Sequence, residues 1–494
     1  MGPLLDGFAV ALQPVNLAAA IAGVLVGQLI GVLPGIGPAS TIAILLPVTF
    51  GLNATAAMIM FVGVYYGAMY GGTITSVLLN LPGESASVIT TLDGYQMAQQ
   101  GRGGAALGIA AFGSFIAGTL GVVALMLLAP GLARIALAFG PPEYATLLVL
   151  ALSLVVYLGE KQRWKGAVST LAGLWLATVG VDLISGQPRF TFGHLKLLSG
   201  VPFVPVAVGL FGLAEVLTAV HEGRTGRPVH ADLRLRSVLP TAADWVASRW
   251  AILRGGLIGF FVGILPGAGA TAASMIAYAA EKRVAQAPAR FGRGAIEGVA
   301  APESANNAAA VGALVPLLTL GVPGSATTAI MLGGLLVFGL RPGPLLFEQH
   351  PQFVWGVIAS MYVSNLLLVL LNVLAIPAFV AVLRVPRAVL LPAVVAIAVV
   401  GVYSLENHVF EVWLALAFAA IGAGMRRFDY PAAPLVLALV LGRTLEESMR
   451  QSLLLAHGSL LIFVTRPLAA AFLAATAALL LSPALGRRRV RVGV

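Results

Sequence analysis

The chain has 494 residues, of which 59% are hydrophobic and only 10% are charged. That composition excludes an ordinary soluble enzyme, and recurrent apolar stretches of about twenty residues indicate an all-α polytopic membrane protein. The formal net charge of +10 does not indicate nucleic-acid binding, because the arginines lie in short loops between apolar stretches. Cysteine is absent, which excludes disulfides and cysteine nucleophiles.

The first part of the chain contains two apolar runs that Pro-Gly pairs interrupt, at Leu33-Pro34-Gly35 and at Leu81-Pro82-Gly83. Proline removes a backbone donor and glycine permits conformations closed to other residues, so a helix is expected to end at each break. The predicted elements here are a helix over 15–33, a half-helix over 38–50, an apolar segment over 54–70, a polar segment over 85–100 and a span over 105–129.

The middle of the chain is predicted to hold three further spans and then the longest polar segment, 221–250, which we interpret as a linker. Breaks recur after it, at Leu265-Pro266-Gly267 and Val322-Pro323-Gly324. The remaining predicted elements are spans over 143–159, 166–184 and 203–220, a helix over 251–264, a half-helix to about 280, helical segments over 303–320 and 325–340, a long span over 353–383, and several apolar stretches within 388–485.

The four breaks form two ordered pairs, 48 residues apart in the first half and 57 in the second. This spacing predicts a duplication. The first Lys or Arg is Arg102, whereas Arg249, Arg254 and Lys282 flank the second copy, so the positive-inside rule predicts opposite orientations. We therefore expect an inverted repeat with broken helices and re-entrant Pro-Gly hairpins, built from roughly 11–14 hydrophobic segments. The expected units are a first repeat over 1–130, connecting spans and a basic cytoplasmic linker over 131–250, a second repeat over 251–385, and C-terminal spans with a basic tail over 386–494.

Each break is a candidate anion site, because the N-terminus of a half-helix presents free N–H groups and a positive dipole end. Preceding carbonyl groups can coordinate Na⁺. A single break is as readily a packing kink, but four in matching positions, each followed by Ser or Thr, favour a substrate site. The candidate substrate-binding residues are Gly35, Gly37, Ser40, Thr41, Asn80, Gly83, Ser85, Gly267, Gly269, Thr271, Asn306, Asn307, Gly324, Ser325 and Thr327.

Two acids and three asparagines stand out within this apolar sequence. Glu84 and Glu303 are candidates for coupling to a cation, since an ionisable group at membrane depth is costly and usually functional. For Glu84 the alternative is a capping role at a half-helix. Asn80, Asn306 and Asn307 either line the site or join helices by hydrogen bonds. Asp93, Asp182 and Glu215 are weaker candidates at span ends, and the six histidines show no metal-ligand spacing.

The stretches Gly31-Val32-Leu33-Pro34-Gly35-Ile36-Gly37-Pro38-Ala39, Tyr70-Gly71-Gly72-Thr73 and Pro302-Glu303-Ser304-Ala305-Asn306-Asn307 resemble the large membrane subunit of tripartite tricarboxylate transporters, the TctA family. The resemblance is strongest across 20–110 and 255–350. It implies a bacterial inner-membrane secondary transporter for carboxylates such as citrate, without a cofactor and driven by Na⁺ or H⁺. It also implies a small membrane subunit and a periplasmic substrate-binding protein as partners.

The alternatives to this function are a stand-alone secondary transporter of another small anion, a passive anion channel and an intramembrane enzyme. A passive anion channel would use the same breaks as a selectivity filter, although repeated symmetric filters from several subunits would then be expected. An intramembrane enzyme would need a nucleophile with its base or a metal constellation, which the spans lack. No Walker A pattern is present, so ATP-driven transport by this chain is not expected.

Overall fold

The computed structural model describes residues 2–33, 37–158, 162–182, 185–219, 234–382 and 387–489. Over these residues the chain is almost entirely α-helical. The helices up to residue 136 are α1 (Gly2–Ala11), α2 (Pro14–Val32), α3 (Pro38–Leu45), α4 (Ala54–Leu79), α5 (Thr91–Gln99) and α6 (Gly103–Ala136). The connecting elements are α7 (Pro141–Leu158), α8 (Arg163–Ala177), the paired strands β1 (Gly180–Val181) and β2 (Pro188–Arg189), α9 (Phe203–Ala207), a π-helical segment (Val208–Leu213), α10 (Ala214–Ala219) and α11 (Leu235–Val238).

The second break-containing unit and the C-terminal part complete the fold. The unit contains α12 (Ala242–Ile264), α13 (Gly269–Val284), α14 (Glu297–Gly312), α15 (Leu314–Leu320), α16 (Ala326–Val337), α17 (Pro344–Gln349), α18 (Pro351–Leu374) and α19 (Ile376–Val382). The C-terminal helices are α20 (Arg387–Glu406), α21 (Val409–Arg427), α22 (Ala432–Leu455), α23 (Ile462–Thr465) and α24 (Pro467–Arg489).

Seven helices of the described residues are long and apolar enough to cross a membrane, namely α2, α4, α6, α7, α12, α18 and α21. Five shorter apolar helical segments accompany them. The prediction of an all-α polytopic membrane protein is confirmed, and seven long plus five short apolar segments agree with the expected range.

Some predicted boundaries are wrong for local reasons. Helix α12 begins at Ala242, well before residue 251, because Thr241 and Asp244 form a capping box in which each side chain accepts from the other's backbone N–H. The predicted linker is therefore shorter than 221–250, and its residues 220–233 lie outside the described ranges. The span expected over 353–383 is interrupted at Ala375.

Glycines let two pairs of helices approach until their backbones touch. A Cβ added to Gly31 of α2 would lie 2.5 Å from the carbonyl oxygen of Ala68 in α4. A Cβ on Gly263 of α12 would lie 2.7 Å from Cα of Ala309 in α14. The glycines that make such contacts are Gly23, Gly27 and Gly31 in α2 and Gly255, Gly259 and Gly263 in α12. The second set lies 232 positions after the first. The duplicated sequence thus forms duplicated helix packing.

The two helices of each pair run parallel, and this determines the direction of the half-helix that follows the first break. Successive glycines of α2 meet successively later residues of α4, and the same holds for α12 with α14. The chain must therefore turn back between the paired helices, so α3 and the 3₁₀ turn Pro47–Gly51 return in the first unit and α13 in the second. Each unit thus contains a helical hairpin. The tip of the second is the Leu265-Pro266-Gly267 break, whereas residues 34–36 between α2 and α3 lie outside the described ranges.

The two units run in opposite directions where they meet. Thr73 of α4 contacts Glu303 in the first half of α14, whereas the earlier Tyr65 contacts Ser325, which follows α15. A later residue of α4 therefore contacts an earlier residue of the second unit, and an earlier residue of α4 contacts a later one. This pattern makes α4 and α14 antiparallel. One pair of side-chain amides ties α18 to the first unit as well, since Gln28 and Asn372 exchange hydrogen bonds of 3.0 Å in both directions.

Helix α21 separates two polar loops by about 28 Å, given the rise of an α-helix. At its C-terminal end, Lys165 Nζ donates to the carbonyl oxygen of Phe428 at 2.6 Å. At its N-terminal end, Lys196 forms ion pairs with Glu406 at 2.8 Å and Glu411 at 3.8 Å. The hydrogen bond to Glu406 raises the pKa of Lys196. The 162–165 and 185–200 segments thus lie at opposite ends of a membrane-length helix.

We expect Gly259→Ala to lower the free energy of unfolding by about 2 kcal/mol, because the methyl group would overlap the backbone of Ala305 and force α12 from α14. The matched control is Gly131→Ala in α6, where a Cβ meets nothing within 4 Å. The measurement is the thermal unfolding midpoint in detergent. Equal midpoints for the two variants would show that the backbone contact does not stabilise the pair.

Candidate functional site

The breaks of each unit lie side by side. Gly83 packs on the carbonyl oxygen of Gly31, and its added Cβ would lie 2.7 Å from Cα of Gly72. In the second unit the corresponding Cβ on Gly324 would lie 2.8 Å from the carbonyl oxygen of Gly263. The chain therefore folds back after α4 and after α15 onto the end of the preceding hairpin helix.

The backbone at these turns explains several of the candidate residues. Asn80 and Gly321 end α4 and α15 in the left-handed conformation, with φ of 55° and 69°. Gly267 has φ of 86°, and its N–H donates to the carbonyl oxygen of Gly324 at 3.0 Å, which joins both breaks of the second unit. Gly269, with φ of 62°, starts α13. Gly37 precedes α3 as its N-cap, and Gly35 lies outside the described residues.

Glu303 lies at the centre of the contact between the two units and is fully buried. Thr73 donates to its Oε2 atom at 2.6 Å, Asn306 Nδ2 donates to the same oxygen at 3.1 Å, and Thr90 donates to Oε1. Both carboxyl oxygens are thus hydrogen-bonded, by side chains from the first and the second unit. Among the described residues no Lys, Arg or His forms an ion pair with Glu303.

The asparagines beside Glu303 continue this network into α6. Asn307 Nδ2 lies 2.7 Å from both the Ser114 hydroxyl and Asn306 Oδ1, and 3.2 Å from the backbone carbonyl of Glu303. The Ser114 hydroxyl also donates to that carbonyl at 3.1 Å. Asn307 therefore joins α14 to α6, whereas Asn306 bonds only within α14, to Glu303 and Asn307.

Glu84 lies beside this network, just before the short 3₁₀ turn Ser85–Ser87. It is 8% exposed, and its Oε1 atom has no hydrogen-bond partner among the described residues. Its methylene groups pack against Gly72, where an added Cβ would lie 2.9 Å from Glu84 Cγ. A negative charge on Glu303 disfavours a negative charge on Glu84, so the two carboxyl groups interact electrostatically. We call Glu84 and Glu303 the acid pair.

Hydroxyl groups from the breaks meet next to the acid pair. The Ser85 and Thr271 hydroxyls are 2.9 Å apart and bridge the second break of one unit to the first break of the other. Ser325 caps α16 through a capping box with Thr328, and its hydroxyl lies 3.4 Å from the Tyr65 hydroxyl. Ser85 is exposed and Thr271 half-buried, so a ligand can reach this edge of the cluster.

Other predicted residues lie elsewhere. Ser40 is buried and donates to Glu215, which also pairs with Arg426 at 3.2 Å, so the first half-helix contacts a separate ion pair. Thr41 bonds back to the carbonyl oxygen of Gly37. Asn80 is exposed at the end of α4 and does not lie among apolar side chains as the sequence suggested. Thr327 is buried within α16.

Two of the weaker acid candidates have structural partners. Asp93 accepts hydrogen bonds from Tyr278 and from the backbone N–H groups of Gly292, Gly294 and Ala295, at 2.7–2.9 Å. It therefore ties α5 to the loop before α14. Asp182 pairs with Arg450 at 2.9 Å, far along the chain from the breaks. Within the described ranges, no group of three His, Asp or Glu side chains is positioned to hold a metal ion.

Sequence reasoning missed Tyr65, Thr73, Thr90 and Ser114, which all contact the cluster. Each is a single hydroxyl residue in an ordinary helical or polar segment, and no break motif marks it. The available signal is periodic: Tyr65, Tyr66, Tyr70 and Thr73 recur at helical spacing along one side of α4.

Comparison with known proteins places this geometry in a family. The model of the tripartite tricarboxylate transporter TctA family matches residues 17–437. An Agrobacterium vitis protein, described as an uncharacterized 52.8 kDa protein in the TAR-I ttuC' 3' region, is 44% identical over 491 residues, covering 99% of this chain and 97% of the relative. A second Agrobacterium vitis protein, described as uncharacterized and in the TAR-II ttuC' 3' region, is 44% identical over 215 residues, covering 44% of this chain and 89% of the relative.

No solved structure matches the chain. The family match spans both break-containing units and the helices between them. This family is one of transporters with several subunits and is not an enzyme family. The chain therefore belongs to the tripartite tricarboxylate transporter TctA family.

Proposed function

We propose that this chain is the large membrane subunit of an ion-gradient-driven carboxylate uptake system in a bacterial inner membrane. The observation that carries the proposal is the meeting of breaks from two oppositely directed units beside a buried acid pair. A secondary transporter needs a site between movable halves that can be reached from either side, and broken helices at a repeat interface provide one.

In this proposal the two units are inverted repeats. Helices α2 and α12 belong to hairpins that enter from opposite sides of the membrane, the second from the cytoplasm. The support is the antiparallel contact of α4 with α14, together with Arg254 and Lys282, which flank the second hairpin. Residues 1–130 and 251–385 then correspond to the two repeats, with the start of the second moved to Ala242.

The substrate would bind at the break edge of the cluster. A carboxylate there can accept hydrogen bonds from the Ser85, Thr271 and Ser325 hydroxyls and from backbone N–H groups at Gly83 and Gly324. Such donors suit an anion at the start of a helix. The acid pair would repel the same anion, so a cation or proton must neutralise it when substrate binds. That requirement couples the two fluxes, with Na⁺ or H⁺ as the coupling ion and alternating access as the mechanism.

The expected partners are a small membrane subunit and a periplasmic substrate-binding protein, together with the transported carboxylate. Citrate or a related dicarboxylate is the proposed substrate. A binding protein would deliver it to the side on which the 185–200 segment lies. That side is extracytoplasmic in this proposal because the segment contains few basic residues, whereas Arg426 and Arg427 lie at the other end of α21.

Proteoliposomes that contain this chain and its small membrane partner should accumulate labelled citrate or a related di- or tricarboxylate when an ion gradient is imposed. Uptake should saturate and should require the added binding protein. The measurement is initial uptake with Na⁺, H⁺ or no gradient. Flux that neither saturates nor follows a gradient would identify a passive anion channel, and no uptake of any carboxylate would refute the assignment.

Ser85→Ala should raise the KM for the carboxylate about tenfold, because one hydrogen bond to a charged ligand contributes roughly 1.5 kcal/mol. Little change in stability is expected, since Ser85 is exposed. The matched control is Ser199→Ala, also exposed but in the loop near Lys196. An unchanged KM in Ser85→Ala, with uptake otherwise normal, would remove this hydroxyl from the substrate site.

A further inference from the structure

We propose that the two members of the acid pair have different roles: Glu84 holds an exchangeable proton, whereas Glu303 is a fixed negative charge. The coupling part of this inference rests on the proposed transport function. The protonation of Glu84 is a property of the protein itself and can be tested without transport.

The geometry of Glu84 carries the proposal. The residue is more than nine-tenths buried, and its Oε1 atom has no hydrogen-bond partner among the described residues. An ionised carboxylate with a bare buried oxygen is far more costly than a neutral carboxyl group in the same place. The neighbouring charge of Glu303 makes ionisation of Glu84 costlier still.

Glu303 differs in its surroundings although it is equally buried. Thr73, Thr90 and Asn306 direct three donor groups at its two oxygens. Donors that point at a carboxylate stabilise its charged form. Glu303 thus has donors at both of its oxygens, whereas Glu84 interacts with the backbone N–H groups of Ala86 and Ser87 but has no donor at Oε1.

The helices that pack against Glu84 are α4, α13 and α14, and none of their described residues provides a compensating cation. Helix α4 contributes Tyr65, which interacts electrostatically with Glu84, and α14 contributes Glu303. Helix α13 contributes Thr271 beside Ser85, while its Glu281 pairs with Arg254 at 2.7 Å and its Tyr278 donates to Asp93. No Lys, Arg or His of the described residues pairs with Glu84, so a proton is the counter-charge that the geometry favours.

A proton on Glu84 would be taken up and released with the substrate. With Glu84 neutral, the pair carries one negative charge, and a carboxylate at Ser85 and Thr271 meets less repulsion. When Glu84 loses its proton, repulsion by the second carboxylate favours release. The O–H bond of Glu84 forms on one side of the membrane and breaks on the other, so one proton moves per cycle.

Infrared spectroscopy of the purified protein in detergent tests the assignment directly. We expect wild type at neutral pH to show the carbonyl stretch of a protonated carboxyl group, shifted in heavy water. The band should be lost in Glu84→Gln and kept in Glu303→Gln and in the control Glu348→Gln, which alters an exposed acid. Absence of the band in wild type, or its persistence in Glu84→Gln, overturns the proposal.

Two further infrared measurements, on a second variant and with a different cation, complete the test. If Glu84→Gln does not fold, Glu84→Asp retains a carboxyl group and should shift the band, so an unmoved band contradicts the assignment. If the band disappears when Na⁺ replaces K⁺ at constant pH, the counter-charge of Glu84 is Na⁺ and not a proton, which overturns the proposal. Failure of wild-type uptake in proteoliposomes would refute the transport function but leave the infrared result to decide the protonation.

Discussion

The fold depends on direct contact between the backbones of α2 and α4 and between the backbones of α12 and α14. Without water or a hydrophobic driving force between helices, association in a membrane relies on close packing, which small residues permit. Here three glycines in each leading helix allow it. The same contacts bring Gly31 against Gly83 and Gly263 against Gly324, so the packing that joins each pair of helices also assembles the breaks.

Two carboxyl groups, for which the described residues provide no cation, lie next to the second break of the first unit. Polar groups inside a membrane protein are costly unless they are satisfied, and an acid pair with one bare oxygen is not fully satisfied. Two other buried acids do have such partners, since Asp93 accepts four hydrogen bonds and Glu215 forms an ion pair with Arg426. Asp93 and Glu215 therefore hold elements of the fold together, whereas the acid pair has no cation among the described residues.

The membrane class, the four breaks and the two candidate acids Glu84 and Glu303 could be predicted from sequence because each has a local cause, but not that the two acids lie next to each other. Proline and glycine end helices wherever they stand, and an isolated Glu in an apolar run is conspicuous. Contacts between distant segments could not be predicted. Thr73 and Thr90 bind Glu303 only because α4 and the start of α5 pack against α14, and Ser40 reaches Glu215 through the packing of α3 on the π-helical segment. The start of α12 was misplaced because its capping residues lie in a polar stretch.

The central claim is that breaks from two oppositely directed units meet at one site, and the absence of native cysteine allows a clean test of it. Cysteines introduced together at Ser85 and Thr271, whose hydroxyls are 2.9 Å apart, should form a disulfide in membranes under mild oxidation. Bound carboxylate should slow its formation. Mass spectrometry of the proteolysed protein would identify the cross-linked peptides. Failure of this pair to cross-link, with a Ser85 and Ser199 cysteine pair cross-linking instead, would contradict the account.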